Sequence, residues 1–212
     1  MSDTAVKLAE LLCARLCHDL AGPVGAVATG AELLEDEGDG MSGMAAEALA
    51  LLAGSAAAAG ARLRFLRLAL GAATGPQPMG PLKDVAAAFL AGSGAADSIR
   101  LDWAIPAKAT WDGGKVKILF NLLLLARDCL PRGGAIVAAE AADGGLSLRA
   151  EGPGARPGDQ AAALNAASPE GLSPREIQGY YTGLLLAAAK MTIEISAAME
   201  SVAFRAGCVI LG

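Results

Sequence analysis

The first part of the chain repeats small and apolar residues at steps of three and four: Ala9, Cys13, Leu16, Leu20, Val24, Val27, Ala31 and Leu34. That period is one stripe of a long α-helix, here over residues 5–36, with Asp3 or Thr4 placed to cap its start. A polar, Gly-rich turn follows at residues 37–43 (EGDGMSG). A second helical pattern covers residues 44–70, with Leu49, Leu52, Ala56, Ala59, Leu63, Leu66 and Leu70 apolar. Two long helices across a short turn make an antiparallel hairpin. One hairpin has nothing to close its stripe against. A second copy is therefore expected to complete a four-helix bundle, which makes the protein a homodimer.

Residues 71–81 (GAATGPQPMGP) are uncharged and rich in Gly and Pro, the composition of a boundary. We divide the chain into a helical hairpin at 1–72, a linker at 73–81 and a second domain at 82–212. In the second domain the period changes. Helices are expected at 83–90, 115–130, 159–167 and 174–191, the last capped by Ser173 with Pro at its first position. Short strands are expected at 99–105, 107–111, 135–141, 146–150, 193–199 and 202–211, with a hairpin across Asp143-Gly144-Gly145. Helices interleaved with mostly antiparallel strands give a two-layer sandwich. The fold class is α plus α/β.

The chain has 212 residues, 54% hydrophobic. Ala accounts for much of that fraction. The strongest apolar run, residues 118–126, is far shorter than the roughly 20 residues a bilayer requires. Asp3, Lys7 and Glu10 interrupt any early signal segment. We expect a soluble, cytoplasmic protein that does not enter a membrane. A formal net charge of -5 argues against nucleic acid as a partner. Cys13, Cys17, Cys129 and Cys208 read as reduced thiols. Cys13 and Cys17 have the wrong spacing for structural zinc, and no metal site is expected.

The chain has one histidine, His18, so any imidazole chemistry happens there. On the helical wheel it lies nearly opposite the apolar stripe. Its surface neighbours are Ala14, Ala21, Gly22 and Gly25. Gly22 and Pro23 are both unfavourable inside a helix. An exposed imidazole in a clearing of small side chains suits a partner that brings a bulky reactive group close. Phosphoryl transfer fits, with a neutral ring nitrogen as nucleophile and Asp19 orienting the ring. Any Mg²⁺ would come from the partner. Arg15, Leu16, Leu20, Gly22 and Pro23 surround His18 as a candidate docking patch, with bundle packing as the plain alternative for the leucines. Arg62 or Arg64 should lie level with His18 on the second helix and face a partner or the phosphate, with a solvated basic face as the plain alternative.

His18-Asp19-Leu20 with Pro23 resembles the H-box of histidine kinases. Residues 121–126 with Pro131-Arg132-Gly133-Gly134 are similar to the kinase N-box, with Leu125 at the position of its second Asn. Glu151-Gly152-Pro153-Gly154 is similar to the D-N-G-P-G box, with Ala150 at the adenine-reading Asp. Thr182-Gly183-Leu184-Leu185-Leu186 is similar to the T-G-L-G-L box, with Leu185 replacing its second Gly. Leu125 offers Mg²⁺ no oxygen, Ala150 accepts no hydrogen bond, and Leu185 places a side chain where backbone should approach phosphate. The run Leu12-Cys13-Ala14-Arg15-Leu16-Cys17-His18-Asp19-Leu20 resembles the ChpT-type histidine phosphotransferases of alphaproteobacteria. That resemblance implies a dimeric bundle carrying a degenerate histidine-kinase-ATPase-like (Bergerat-type) α/β sandwich. It implies that His18 takes phosphate from the receiver domain of a hybrid histidine kinase and passes it to response regulators. It further implies no ATP, no cofactor of its own, and Mg²⁺ in the partner receiver. A polar residue four places after the histidine, which supports phosphatase chemistry in many kinases, is here Gly22. The readings that compete are a non-catalytic pseudo-kinase dimer that docks receivers, and an atypical ATP-dependent histidine kinase.

Overall fold

The computed structural model describes residues 3–36, 43–92 and 99–208. Helix α1 spans Asp3–Asp36 and helix α2 spans Gly43–Leu70. Asp3 and Thr4 already lie inside the first turn, where an acidic Asp3 complements the helix dipole. Most of the expected turn falls at 37–42, outside the described residues. Helices α1 and α2 pack along their length, and Gly30 permits close approach: a Cβ there would stand 3.0 Å from the Leu52 Cβ. Antiparallel pairing of 30 with 52 brings His18 level with the segment around Arg62 and Arg64.

The hairpin does not bury its stripe by itself. Ala9, Cys13 and Val24 are exposed, as are the large apolar side chains of Val6, Leu33, Leu49, Leu51 and Leu63. By length and composition alone, α1 and α2 are each apolar enough to cross a membrane, although the sequence contains no unbroken apolar run of that length. The last turns of α2 behave differently. Phe65, Leu66 and Ala69 are buried, and Phe65 stacks on Phe89 with ring centroids 3.9 Å apart. Helix α2 is thus a structural part of the second domain.

The segment read as a linker is ordered structure. Strand β1 (Pro76–Pro78) pairs antiparallel with β3 (Thr110–Asp112), and α3 (Met79–Ala91) begins at once. Two Pro residues suit a three-residue edge strand, since they cost ladder donors only where few are needed. The main sheet contains β2 (Ile99–Trp103), β4 (Gly134–Glu140), β5 (Leu146–Glu151), β7 (Ser201–Cys208) and β6 (Met191–Ala198), in that spatial order. Only the β2–β4 pair is parallel. The β4–β5 and β6–β7 hairpins arise where the alternation predicts them. Helices α3, α4 (Gly113–Asp128) and α6 (Ile177–Ala188) cover one face; α5 (Asp159–Ala162) and a 3-10 turn precede α6. Ile136, Ala138, Leu146, Leu148, Ala150, Val202, Phe204 and Ala206 supply the buried sheet face. Helix α4 is the central core element, buried from Ile118 to Ala126. The result is a two-layer α/β sandwich carrying an N-terminal helical hairpin.

Three positions in the segments that resemble nucleotide boxes pack in or against the core. Leu125 is 1% exposed and Ala150 fully buried, and Leu185 packs against the same core. Asn121 is also fully buried. Its Nδ2 donates to the Ala69 carbonyl at 2.7 Å and the Lys117 carbonyl at 2.7 Å, while its Oδ1 accepts from Gln178. It ties α2, α4 and α6 together.

Candidate phosphoacceptor site

Helix α1 runs without interruption through Gly22 and Pro23. Pro23 has no N–H, so the carbonyl four residues back, that of Asp19, has no intrahelical donor. The helix is loosened where its reactive candidate sits. The His18 side chain is 86% exposed. Ala14, Ala21, Gly22 and Gly25 are all exposed around it, and a Cβ at Gly22 or Gly25 would meet nothing within 4 Å. The clearing read from the wheel is present.

His18 Nδ1 lies 3.3 Å from Asp19 Oδ1. A carboxylate only accepts, so this contact favours the ring tautomer with hydrogen on Nδ1. Nε2 then carries the free lone pair. The second oxygen of Asp19 accepts from Arg15 Nε at 3.0 Å. Arg15 reaches further: its Nη1 donates to the carbonyl of Arg175 at 2.9 Å. The Arg15 side chain is only 11% exposed. It is held between the helix and the second domain, and so offers a partner little surface. Leu16, Leu20 and Pro23 are half-buried.

The second domain meets α1 on a face beside the bundle stripe, about a third of the way round the helix. Leu11, Ile177 and Tyr180 form a small buried cluster, joined by Leu8, Leu12, Ala166 and Leu172. One turn further along this face is Arg15, then Asp19. Beside them opens a cleft of about 930 Å³ whose lining includes His18, Asp19, Arg127, Asp128, Arg156 and Arg175. Its lining carries four arginines (Arg15, Arg127, Arg156, Arg175) and three aspartates (Asp19, Asp128, Asp159). Arg175 donates to Asp128 Oδ1 from Nε at 3.2 Å and Nη2 at 2.6 Å. That ion pair raises the Arg175 pKa. Burial lowers the Arg127 pKa, helped by the nearby positive charge of Arg62 and opposed by Asp19. Arg62 therefore sits in the charge cluster around Asp19 and Arg127. Arg64 is exposed and lies back along α2 toward Gly60, away from the cleft lining.

Arg127, Asp128 and Arg175 were not singled out by the sequence reading. A signal existed for the first two: a charged pair ends a helix that is otherwise apolar through its middle, so its last turn must reach solvent or a site. Arg175 had none, because it touches α1 through its backbone carbonyl.

An exposed imidazole nitrogen, a carboxylate at the ring's other edge and arginines alongside suit histidine phosphorylation by another protein. Developing negative charge on phosphoryl oxygens is stabilised by preplaced cations.

The comparisons with known proteins agree. Residues 83–201 match the family described as "Histidine phosphotransferase C-terminal domain". The chain is 35% identical over 217 residues to the protein phosphotransferase ChpT of Brucella abortus (strain 2308), covering 96% of each chain. It superposes on a solved bacterial phosphotransferase with a TM-score of 0.80 and 33% identity, covering 97% of this chain and 98% of the other. With the family matched over more than half its length and a close relative over nearly all of it, the chain belongs to the histidine phosphotransferase family that includes ChpT.

Proposed function

We propose that this protein is a phosphorelay enzyme in which His18 takes a phosphoryl group from the receiver domain of a hybrid histidine kinase and hands it to response-regulator receivers. The observation that carries this reading is the exposed His18 ring with Nδ1 facing Asp19. In the forward step Nε2 attacks phosphorus and an N–P bond forms. The P–O bond of the receiver's acyl phosphate breaks, and its carboxylate leaves with the electron pair. Positive charge that develops on the ring is met by Asp19. The return step reverses each of these events. A Mg²⁺ ion held by the receiver would neutralise the phosphoryl oxygens.

The buried Leu125 and Ala150 support a reading without ATP, since neither offers a polar atom to Mg²⁺ or to a base. We read the exposed apolar residues of α1 and α2 as the face of a homodimeric four-helix bundle. Lipid is the poorer occupant of that face: α1 carries Arg15, His18 and Asp19 midway, and α2 ends inside the α/β core. An acidic chain with four cysteines and no disulfide among the described residues fits a cytoplasmic place.

The test is incubation with a phosphorylated receiver domain and, separately, with radiolabelled ATP. The receiver should label the protein within seconds to minutes and ATP should not. Labelling from ATP alone would favour the atypical kinase. Receiver binding without labelling would favour the docking scaffold.

A further inference from the structure

We propose that the α/β domain positions the phosphoacceptor: the turn at residues 173–176 holds Arg15, Arg15 holds Asp19, and Asp19 sets the tautomer of His18. This rests on His18 being the phosphorylated residue, and it gives the second domain a part in the reaction.

The links are polar contacts of 2.9 Å (Arg15 to the Arg175 carbonyl), 3.0 Å (Arg15 to Asp19) and 3.3 Å (Asp19 to His18). The turn is fixed at both ends. Ser173 N donates to Glu176 Oε2 at 2.9 Å and Glu176 N donates to Ser173 Oγ at 3.3 Å, a reciprocal capping box. The Arg175 side chain between them is anchored on Asp128, whose own side chain is 6% exposed. The Arg175 carbonyl is thereby presented to Arg15. Arg15 spends its Nη1 on that carbonyl and its Nε on Asp19 Oδ2. Asp19 Oδ1 is left facing the ring.

The arrangement does not follow from helix geometry alone. A basic residue four places before an acidic one is the weaker order for a helical ion pair. An isolated helix would leave Arg15 in water. Here it is nearly covered, and the covering comes from the second domain. The adjoining cluster of Leu11, Ile177 and Tyr180 fixes the distance between α1 and that turn. Arg15 is therefore a positioning residue that acts through Asp19.

The chain's single histidine makes the readout direct, because every imidazole ¹⁵N signal comes from His18. The experiment compares wild type with Arg15→Gln, Arg15→Lys, Asp19→Asn, Arg15→Gln/Asp19→Asn and Arg175→Ala. Arg175→Ala also strips the nearly buried Asp128 of its partner, so its thermal melt is recorded beside the tautomer and the rate. Wild type should show mainly the Nδ1–H tautomer, and Arg15→Gln should mix the two forms. In single-turnover transfer from a saturating phosphorylated receiver, Arg15→Gln should slow the step about tenfold, as outer-shell partners do. Receiver affinity should change by less than about twofold. Arg15→Lys should recover part of the rate. Arg175→Ala should shift tautomer and rate in the same direction by a smaller factor. The double variant should be no slower than Asp19→Asn alone, because the effect passes through Asp19. A loss confined to receiver affinity, or rate losses that multiply in the double variant, would overturn the role. So would an unchanged tautomer in Arg15→Gln. A wild type that takes no label would refute the relay itself; a labelled wild type with an unaffected Arg15→Gln would refute only the positioning role.

Discussion

Asn121 lies in a run that resembles a nucleotide box, and its observed work is structural. In sequence it opens an N-box-like run; in the fold it joins three helices through hydrogen bonds to Ala69, Lys117 and Gln178. Asn121→Ala strips three buried partners at once and should cost about 2–4 kcal/mol, measurable by urea unfolding. A loss under about 0.5 kcal/mol would mean the network is dispensable. Its partners Ala69 and Gln178 are 52 and 57 residues away, so no local pattern exposed this role. Cys129 presents a simpler case. Burial raises its thiol pKa to about 11, and its Sγ donates to the Leu125 carbonyl at 3.3 Å. Cys13, Cys17 and Cys208 are exposed. A thiol reagent at pH 8 should titrate Cys208 in the folded protein and reach Cys129 only on unfolding, while Cys13, on the proposed dimer face, should react more slowly than Cys208. The exposed position of His18 was legible, because a lone histidine on a wheel needs only the helix period to be placed.

Helix α1 was legible as an element and only half legible as a surface. Periodicity records the strongest stripe, and that stripe points toward α2 and the open bundle face. The weaker face of Leu8, Leu11, Leu12 and Arg15 meets the second domain, and its mixed polarity hides it. Gly22 offers a test at this scale. It is exposed in mid-helix with no atom within 4 Å of a Cβ, so Gly22→Ala should stabilise by about 0.5–1 kcal/mol. The added methyl also stands in the clearing beside His18. We expect a higher melting temperature together with slower phosphotransfer; faster transfer would contradict the clearing's role. The capping box before α6 is a second element-scale feature, legible as Ser173-Pro174-Arg175-Glu176. Hydrogen bonds from Ser173 hold Glu176 below its ordinary carboxylate range near 4.5. A depressed acid stabilises the fold above its unfolded pKa, and that stabilisation disappears as pH falls through the folded value. The melting difference between wild type and Glu176→Ala should therefore be largest at pH 6 and shrink toward pH 3. A difference constant across that range would remove the carboxylate from the box. Residues 73–81 were misjudged because Gly and Pro mark chain reversal without saying whether the reversal is pinned; pairing of β1 with β3 pins it.

At the scale of the molecule, a helical hairpin that carries His18 is joined to a two-layer sandwich that braces it. The sandwich was readable as a class because its alternating strands and apolar helices are strong local signals. Its grip on the hairpin was not, since that depends on one backbone carbonyl and a small apolar cluster. The apolar face of α1 and α2 leads to a further prediction. Leu63 is 57% exposed. A charge there should break the proposed dimer, and Leu63→Glu should sediment as a monomer at concentrations where wild type is a dimer. An unchanged sedimentation coefficient would place the interface elsewhere.

The central claim is that one imidazole, fed from outside, carries the phosphate. The most direct measurement is transfer from a radiolabelled receiver domain to wild type and to His18→Ala, followed by acid and base treatment of the labelled chain. The account predicts acid-labile, base-stable label on wild type and none on His18→Ala. Label that persists on His18→Ala, or a wild type that binds the phosphorylated receiver and stays unlabelled, would contradict it.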